Sequence, residues 1–178
     1  MKKREAGLAL VEMIVASMIV TLIVGGAAYL ITQTLRNTQA TNNRLTAISN
    51  LESAIASVNR DAQGSENVTT TGLTPPGLII FRWTAWGYDA PSVYHTVTYA
   101  VENVSGNIGR LTRTHLDTAG TNEKTTVAEF VYYNLSDMTN STQVGVAANT
   151  FTFKVTTRAG SVQESRDYRA DSRTSLLH

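Results

Sequence analysis

The sequence predicts an α+β protein: a long N-terminal helix, membrane-spanning in its first half and amphipathic in its second, packed on an antiparallel β-sheet. Three observations carry this. Between residues 8 and 33 the only charged side chain is Glu12. Proline is absent before Pro75. Beyond Pro76, short runs of alternating apolar residues are separated by Gly, Asn, Asp and Ser clusters. At 178 residues, the chain has room for one domain of ordinary size beside the apolar segment. The organisation expected is a basic leader (1–7), an apolar helix (8–32), its amphipathic continuation (33–64) and a β domain (65–178).

The leader carries Lys2, Lys3 and Arg4. The apolar stretch after it holds about 25 residues, roughly 37 Å as a helix, which exceeds a bilayer core of about 30 Å. Only Arg36 and Arg44 follow it closely. The positive-inside bias places the start in the cytoplasm and the bulk of the chain across the cytoplasmic membrane, as a single-pass protein. A cleaved secretory signal ending at Gly26-Ala27-Ala28 is an alternative, but the apolar run continues through Tyr29, Leu30 and Ile31. A plain anchor fits the length and leaves Glu12 unexplained.

A carboxylate in a membrane helix costs about 2.5–3.5 kcal/mol on insertion scales, so an intramembrane acid points to function. Glu12 lies five residues past Gly7. Cleavage after Gly7 would create an α-ammonium on Leu8, four residues and about 6 Å from Glu12 along a helix axis. At low dielectric the two charges would neutralise each other, within one chain or between packed neighbours.

A short basic leader, Gly7, an apolar run and Glu12 at this offset together resemble the N-terminal motif of type IV prepilins, over roughly residues 2–32. The resemblance implies cleavage after Gly7 by a prepilin peptidase and methylation of Leu8. It also implies assembly through Glu12, paired with the N-terminal amine of an adjacent subunit. Leu8 and Ala9 stand where the family usually has Phe and Thr. The Gly25-Gly26 pair costs the helix about 0.8–1 kcal/mol per residue relative to Ala. It reads either as a place where a pilin helix melts in the filament or as a close helix-packing site.

From Ile31 onward Leu35, Thr38, Leu45, Ile48, Leu51, Ile55, Val58 and Ala62 recur at helical spacing, with Gly64 as a candidate C-cap. One apolar stripe of this kind needs a sheet to cover it, a free-standing coiled coil being the alternative. Residues 65–77 read as a loop. Strands are expected at 78–86, 94–101, 110–116, 126–135, 151–158 and 162–168. The alternation is clearest in Val97, Tyr99, Val101 and in Phe151, Phe153, Val155. Short links favour antiparallel meanders, in one sheet or folded into two. The helix ending in Arg60-Asp61 and the strands carrying Tyr99, Gly109, Leu111 and Arg113 resemble minor pilins. They are similar to the J-type minor pseudopilin of type II secretion and its counterparts in type IV pilus systems, which sit at or near the filament tip.

The composition argues against other classes. Cysteine is absent and histidine occurs three times, as His95, His115 and His178. No triad order, phosphate loop or metal-ligand spacing stands out, so neither catalysis, nor a cofactor, nor a metal is expected. His95 and His115 read as ordinary strand residues. Asp89, Asp117 and Asp137 lack the dense oxygen ligands of a calcium loop. Trp83, Trp86, Tyr88 and Tyr94 cluster about one turn and read as core or hairpin pairs, an exposed patch for a partner being the other reading. The net charge is +1, and loss of the leader leaves 12 basic against 13 acidic side chains. That balance predicts no direct nucleic-acid binding. Arg158, Arg166, Arg169 and Arg173 alternate with Asp167 and Asp171 and read as a solvated face. The function expected is therefore that of a structural subunit, a minor pilin or pseudopilin. Its partners would be other subunits, the peptidase and the membrane, and its final location a pilus or pseudopilus. The alternative is a membrane-tethered β-domain acting as a binding module or adhesin.

Overall fold

A computed structural model describes residues 3–88, 91–147 and 150–171 of the chain, without the side chains of residues 3–9, 103 and 171. It contains one helix, α1 (Lys3–Gly64), followed by strands β1 (Asn67–Thr69), β2 (Gly77–Ala85), β3 (Val93–Ser105), β4 (Ile108–Asp117), β5 (Asn122–Tyr132), β6 (Gln143–Ala147), β7 (Thr150–Ala159) and β8 (Val162–Asp171). The chain divides into two units, Met1–Asn42 and Asn43–His178. In the first, α1 runs unbroken through Gly25-Gly26. It ends beside Ser65, whose backbone N–H and hydroxyl both donate to the Ala62 carbonyl, at 3.2 and 2.9 Å. The predicted C-cap Gly64 is its last residue.

All six expected strands form, and every pairing is antiparallel. Two further strands appear. The three-residue β1 pairs β2 inside the stretch expected to be a loop, and the five-residue β6 pairs β7. The order is β1-β2-β3-β4-β5-β7-β6, with β8 on the other edge of β7, so the strands make one eight-stranded sheet. The β3–β4 turn is Gly106-Asn107, with φ of 56° and 67°. Positive φ at both positions is what a two-residue hairpin of this twist demands. At Gly109 on β4 a Cβ would meet the Glu102 carbonyl oxygen at 2.7 Å and Val101 Cγ1 at 2.8 Å. Only glycine lets β3 and β4 approach this closely.

The sheet is curled. Phe81 of β2 meets both Tyr99 of β3, with centroids 5.9 Å apart, and Phe151 of β7, at 5.6 Å. β2 and β7 are far apart in strand order, so the two ends of the sheet face each other across the core. The predicted alternating sets, Val97, Tyr99, Val101 and Phe151, Phe153, Val155, all point inward and are buried.

The helix residues 43–64 complete this core. The stripe they bury is Ala47, Leu51, Ala54, Val58 and Asp61, while Ile48 and Ile55 are half-buried at its margins and Leu45 is exposed. The expected face was thus centred too far toward the large aliphatics. Alanine at 47 and 54 lets the helix backbone sit close to the strands, and the bulky isoleucines fill the flanks.

The sheet is weakest between β5 and β7, which meet at the single pair Val131↔Thr157. β5 is bulged just before it: Glu129 and Phe130 together oppose Arg110, and Phe130 takes a φ of 57°. Polar side chains of the helix fill this seam. Ser53 Oγ donates to the Val127 carbonyl at 2.8 Å, and Asn50 Oδ1 accepts from the Glu129 N–H at 2.6 Å. On the other side Thr157 Oγ1 donates to the Ala47 carbonyl at 3.0 Å. Backbone groups that the bulge withdraws from the ladder thus find partners on the helix.

Candidate functional site

Three features carry chemistry. In the first unit, apolar side chains from Leu10 to Leu35 are exposed on all sides of α1. The helix is long and apolar enough to cross a membrane. Glu12 is exposed within this surface, and none of the ion pairs among the described residues includes it. Gly7 and Leu8, the expected cleavage and methylation positions, belong to the residues whose side chains lie outside the described set.

The second feature is a charged anchor at the end of the helix. Asp61 is buried and takes a bidentate pair from Arg113 of β4, Nε to Oδ2 at 2.7 Å and Nη2 to Oδ1 at 2.9 Å. The Tyr99 hydroxyl of β3 donates to the same Oδ2 at 2.6 Å. Both carboxylate oxygens are therefore engaged, and the fork geometry fixes the helix rotation against two strands. Burial, with the Asp61 carboxylate beside it, pushes the Tyr99 phenol far above its ordinary pKa. Asp61, Tyr99 and Arg113 were each singled out by resemblance in the sequence. Their convergence needs the register Tyr99↔Arg113 of β3 and β4, which no local spacing encodes.

This anchor makes alkaline stability testable. A phenol whose folded pKa is raised gives its full contribution below the unfolded value of about 10, and loses it as pH climbs above that. Tyr133 and Tyr168 are raised by burial in the same direction. Urea midpoints should therefore fall steeply above about pH 10. Tyr99→Phe should shallow that slope while lowering stability at neutral pH.

The third feature lies at the far ends of β3 and β4. His95 and His115 approach with Nδ1 of one 3.1 Å from Nε2 of the other. Their centroids are 5.3 Å apart with planes at 24°, so the rings meet edge to edge through this hydrogen bond. The Trp83 indole lies nearly parallel to both, at 16° and 12°. Asp117 Oδ2 stands 3.8 Å from His95 Nδ1. Its Oδ1 accepts the Thr121 N–H at 2.8 Å. Hydrogen bonds from Thr121 hold the Asp117 carboxyl below the usual range. Both histidines are half-buried strand residues, as expected, and the structure adds their contact with each other. The register places His95 opposite Asp117 and His115 opposite Val97, one diagonal apart on the same face.

The remaining expectations divide. Of the aromatic cluster, Trp83 packs on the imidazoles, but Trp86, Tyr88 and Tyr94 are exposed, at 79%, 101% and 59% of their areas. The core reading fails for those three: Trp86 and Tyr88 lie in the β2–β3 connection beyond the last paired residues, Ala85↔Val93, and Tyr94, though paired with Thr84, is exposed. Asp89 and Arg173 lie outside the described residues. The arginine-rich tail is only partly a free face. Along β8, Glu164 pairs Arg44 at 3.0 Å, Arg166 approaches Glu52 at 3.9 Å, and the Tyr168 hydroxyl donates to Asn59 at 2.6 Å. Alternate β8 residues thus reach the helix at about every second turn. No protein-family model, curated protein or solved structure matches the chain.

Proposed function

We propose that this chain is a structural subunit of a type IV pilus or type II secretion-like filament, a minor pilin or pseudopilin. The observation that carries the reading is the lone Glu12 in an apolar helix, five residues past Gly7 and behind a basic leader. A long apolar N-terminal helix, continuing into a helix that packs on an antiparallel sheet, supports it. On this reading a prepilin peptidase cuts after Gly7 and the new amine on Leu8 is methylated. The processed subunit leaves the membrane for the filament through its apolar helix. Burial of that helix among neighbours supplies affinity, at about 25 cal/mol per Å² of apolar surface. Glu12 sets the register, because a desolvated carboxylate tolerates only a position with a cation beside it. The work is assembly and not catalysis.

The test is the mass of the chain after co-expression with a prepilin peptidase. Loss of residues 1–7 with one added methyl is the expected result. An intact N-terminus, or one beginning at Tyr29, overturns the reading. A second reading, a membrane-tethered binding module, is favoured by one observation: the solvent-facing Trp86, Tyr88 and Tyr94 about the β2–β3 connection. An intact, membrane-bound N-terminus in the same experiment selects it.

A further inference from the structure

We propose that His95, His115 and Asp117 form a binding site for a divalent transition-metal ion of the zinc type. The site lies within the β domain and does not depend on filament assembly. One ligand atom from each of the three side chains lies within 4.8 Å of the other two. Donor atoms about 2 Å from a tetrahedral zinc stand roughly 3.3 Å from one another. The observed 3.1 Å between the imidazole nitrogens and 3.8 Å from His95 Nδ1 to the carboxylate bracket that spacing. An ion would replace the proton now shared between the two nitrogens, the ring that donates it taking the tautomer protonated at its other nitrogen. Two neutral imidazoles and one carboxylate suit zinc and its neighbours in the first row, whereas calcium and magnesium prefer oxygen alone.

The surroundings are built to hold the donors. Asp117 presents Oδ2 to the imidazoles because the Thr121 N–H occupies Oδ1. That is the outer contact by which ligating carboxylates are usually oriented. The turn bearing it is braced in both directions, since the Thr121 carbonyl accepts the Asp117 N–H at 3.2 Å and the Tyr94 carbonyl accepts the Thr118 N–H at 3.1 Å. The Trp83 indole screens both imidazoles on one side. All three donors are half-buried, so an ion reaches them without unfolding. With three protein donors, the fourth position is left to water.

The test uses the untagged full-length chain in detergent micelles, titrated calorimetrically with zinc chloride and separately with calcium chloride. One equivalent of zinc should bind, and calcium should not. His95→Gln and His115→Gln should each weaken zinc binding by about 100-fold or more, above the roughly 10–100-fold typical of losing an outer contact. His178→Ala should leave it unchanged. Absence of zinc binding, or equal affinity in the histidine variants, overturns the proposal, as does loss of binding in His178→Ala. A second measurement does not depend on how the histidine variants fold. The chain has two tryptophans, so Trp86→Phe leaves Trp83 as the sole indole reporter. Cobalt(II) should quench its fluorescence saturably at one equivalent and raise visible absorption bands of four-coordinate intensity. Linear, unsaturable quenching overturns the assignment.

Discussion

Asp61→Asn should lower the stability of the β domain by about 3–5 kcal/mol, the usual cost of removing one partner from a buried ion pair. The Arg113 and Asp61 side chains are 15% and 5% exposed, so the guanidinium left behind has little water to replace its lost counter-ion. The size of the effect comes less from attraction forfeited than from a cation stranded beside the Tyr99 hydroxyl. For a domain of this length the loss corresponds to a fall of about 10 °C or more in melting temperature. Replacing both partners, as Asp61→Leu with Arg113→Met, should recover much of it, because no charge then remains to be solvated. Thermal denaturation of the three variants decides the matter. A shift below about 3 °C for Asp61→Asn would mean that the anchor orients the helix without stabilising it.

Glu12→Ala should have the opposite signature, no loss of folding and a large loss of assembly. Removing a carboxylate from the apolar segment relieves about 2.5–3.5 kcal/mol of insertion cost, so membrane insertion should be undiminished. Incorporation into filaments should fall at least about tenfold, since the cationic partner at the neighbouring chain start then has nothing to meet. Comparing the membrane fraction with sheared filaments measures both quantities in one culture. Normal incorporation would remove the basis for assigning Glu12 to assembly. Glu12→Gln separates charge from shape: it keeps the side-chain volume and should behave like alanine if the charge is what matters.

The parts of the fold legible in the sequence are those whose signal is local. Val97, Tyr99 and Val101 repeat every second residue because one face of β3 is buried, and that period survives without knowledge of the partner strands. Leu51 and Val58 mark the buried helix face for a similar reason. Ala47 and Ala54 carry a weak signal, because alanine is less apolar than the large aliphatics, whereas close helix–sheet approach selects small residues. β1 and β6, at three and five residues, are too short to establish a period. The candidate sites divide along the same line. Glu12 stands out because a lone charge in an apolar run needs no tertiary context. The pairing of His95 with His115, twenty residues apart, depends on the β3–β4 register, which the turn at Gly106-Asn107 sets together with the shift between Glu102 and Ser105. So does the meeting of Tyr99 and Arg113 on Asp61.

The seam between β5 and β7 governs where this protein can be trimmed. Beyond the single ladder pair, Thr142 joins Tyr132 of β5 to Thr156 of β7, and the other stitches run through Ala47, Asn50 and Ser53 of the helix. A recombinant fragment starting at the first strand would lose the splint that joins its halves, expose Phe81 and Phe153, and aggregate. One starting at Asn43 keeps every stitch while discarding the apolar half that demands detergent.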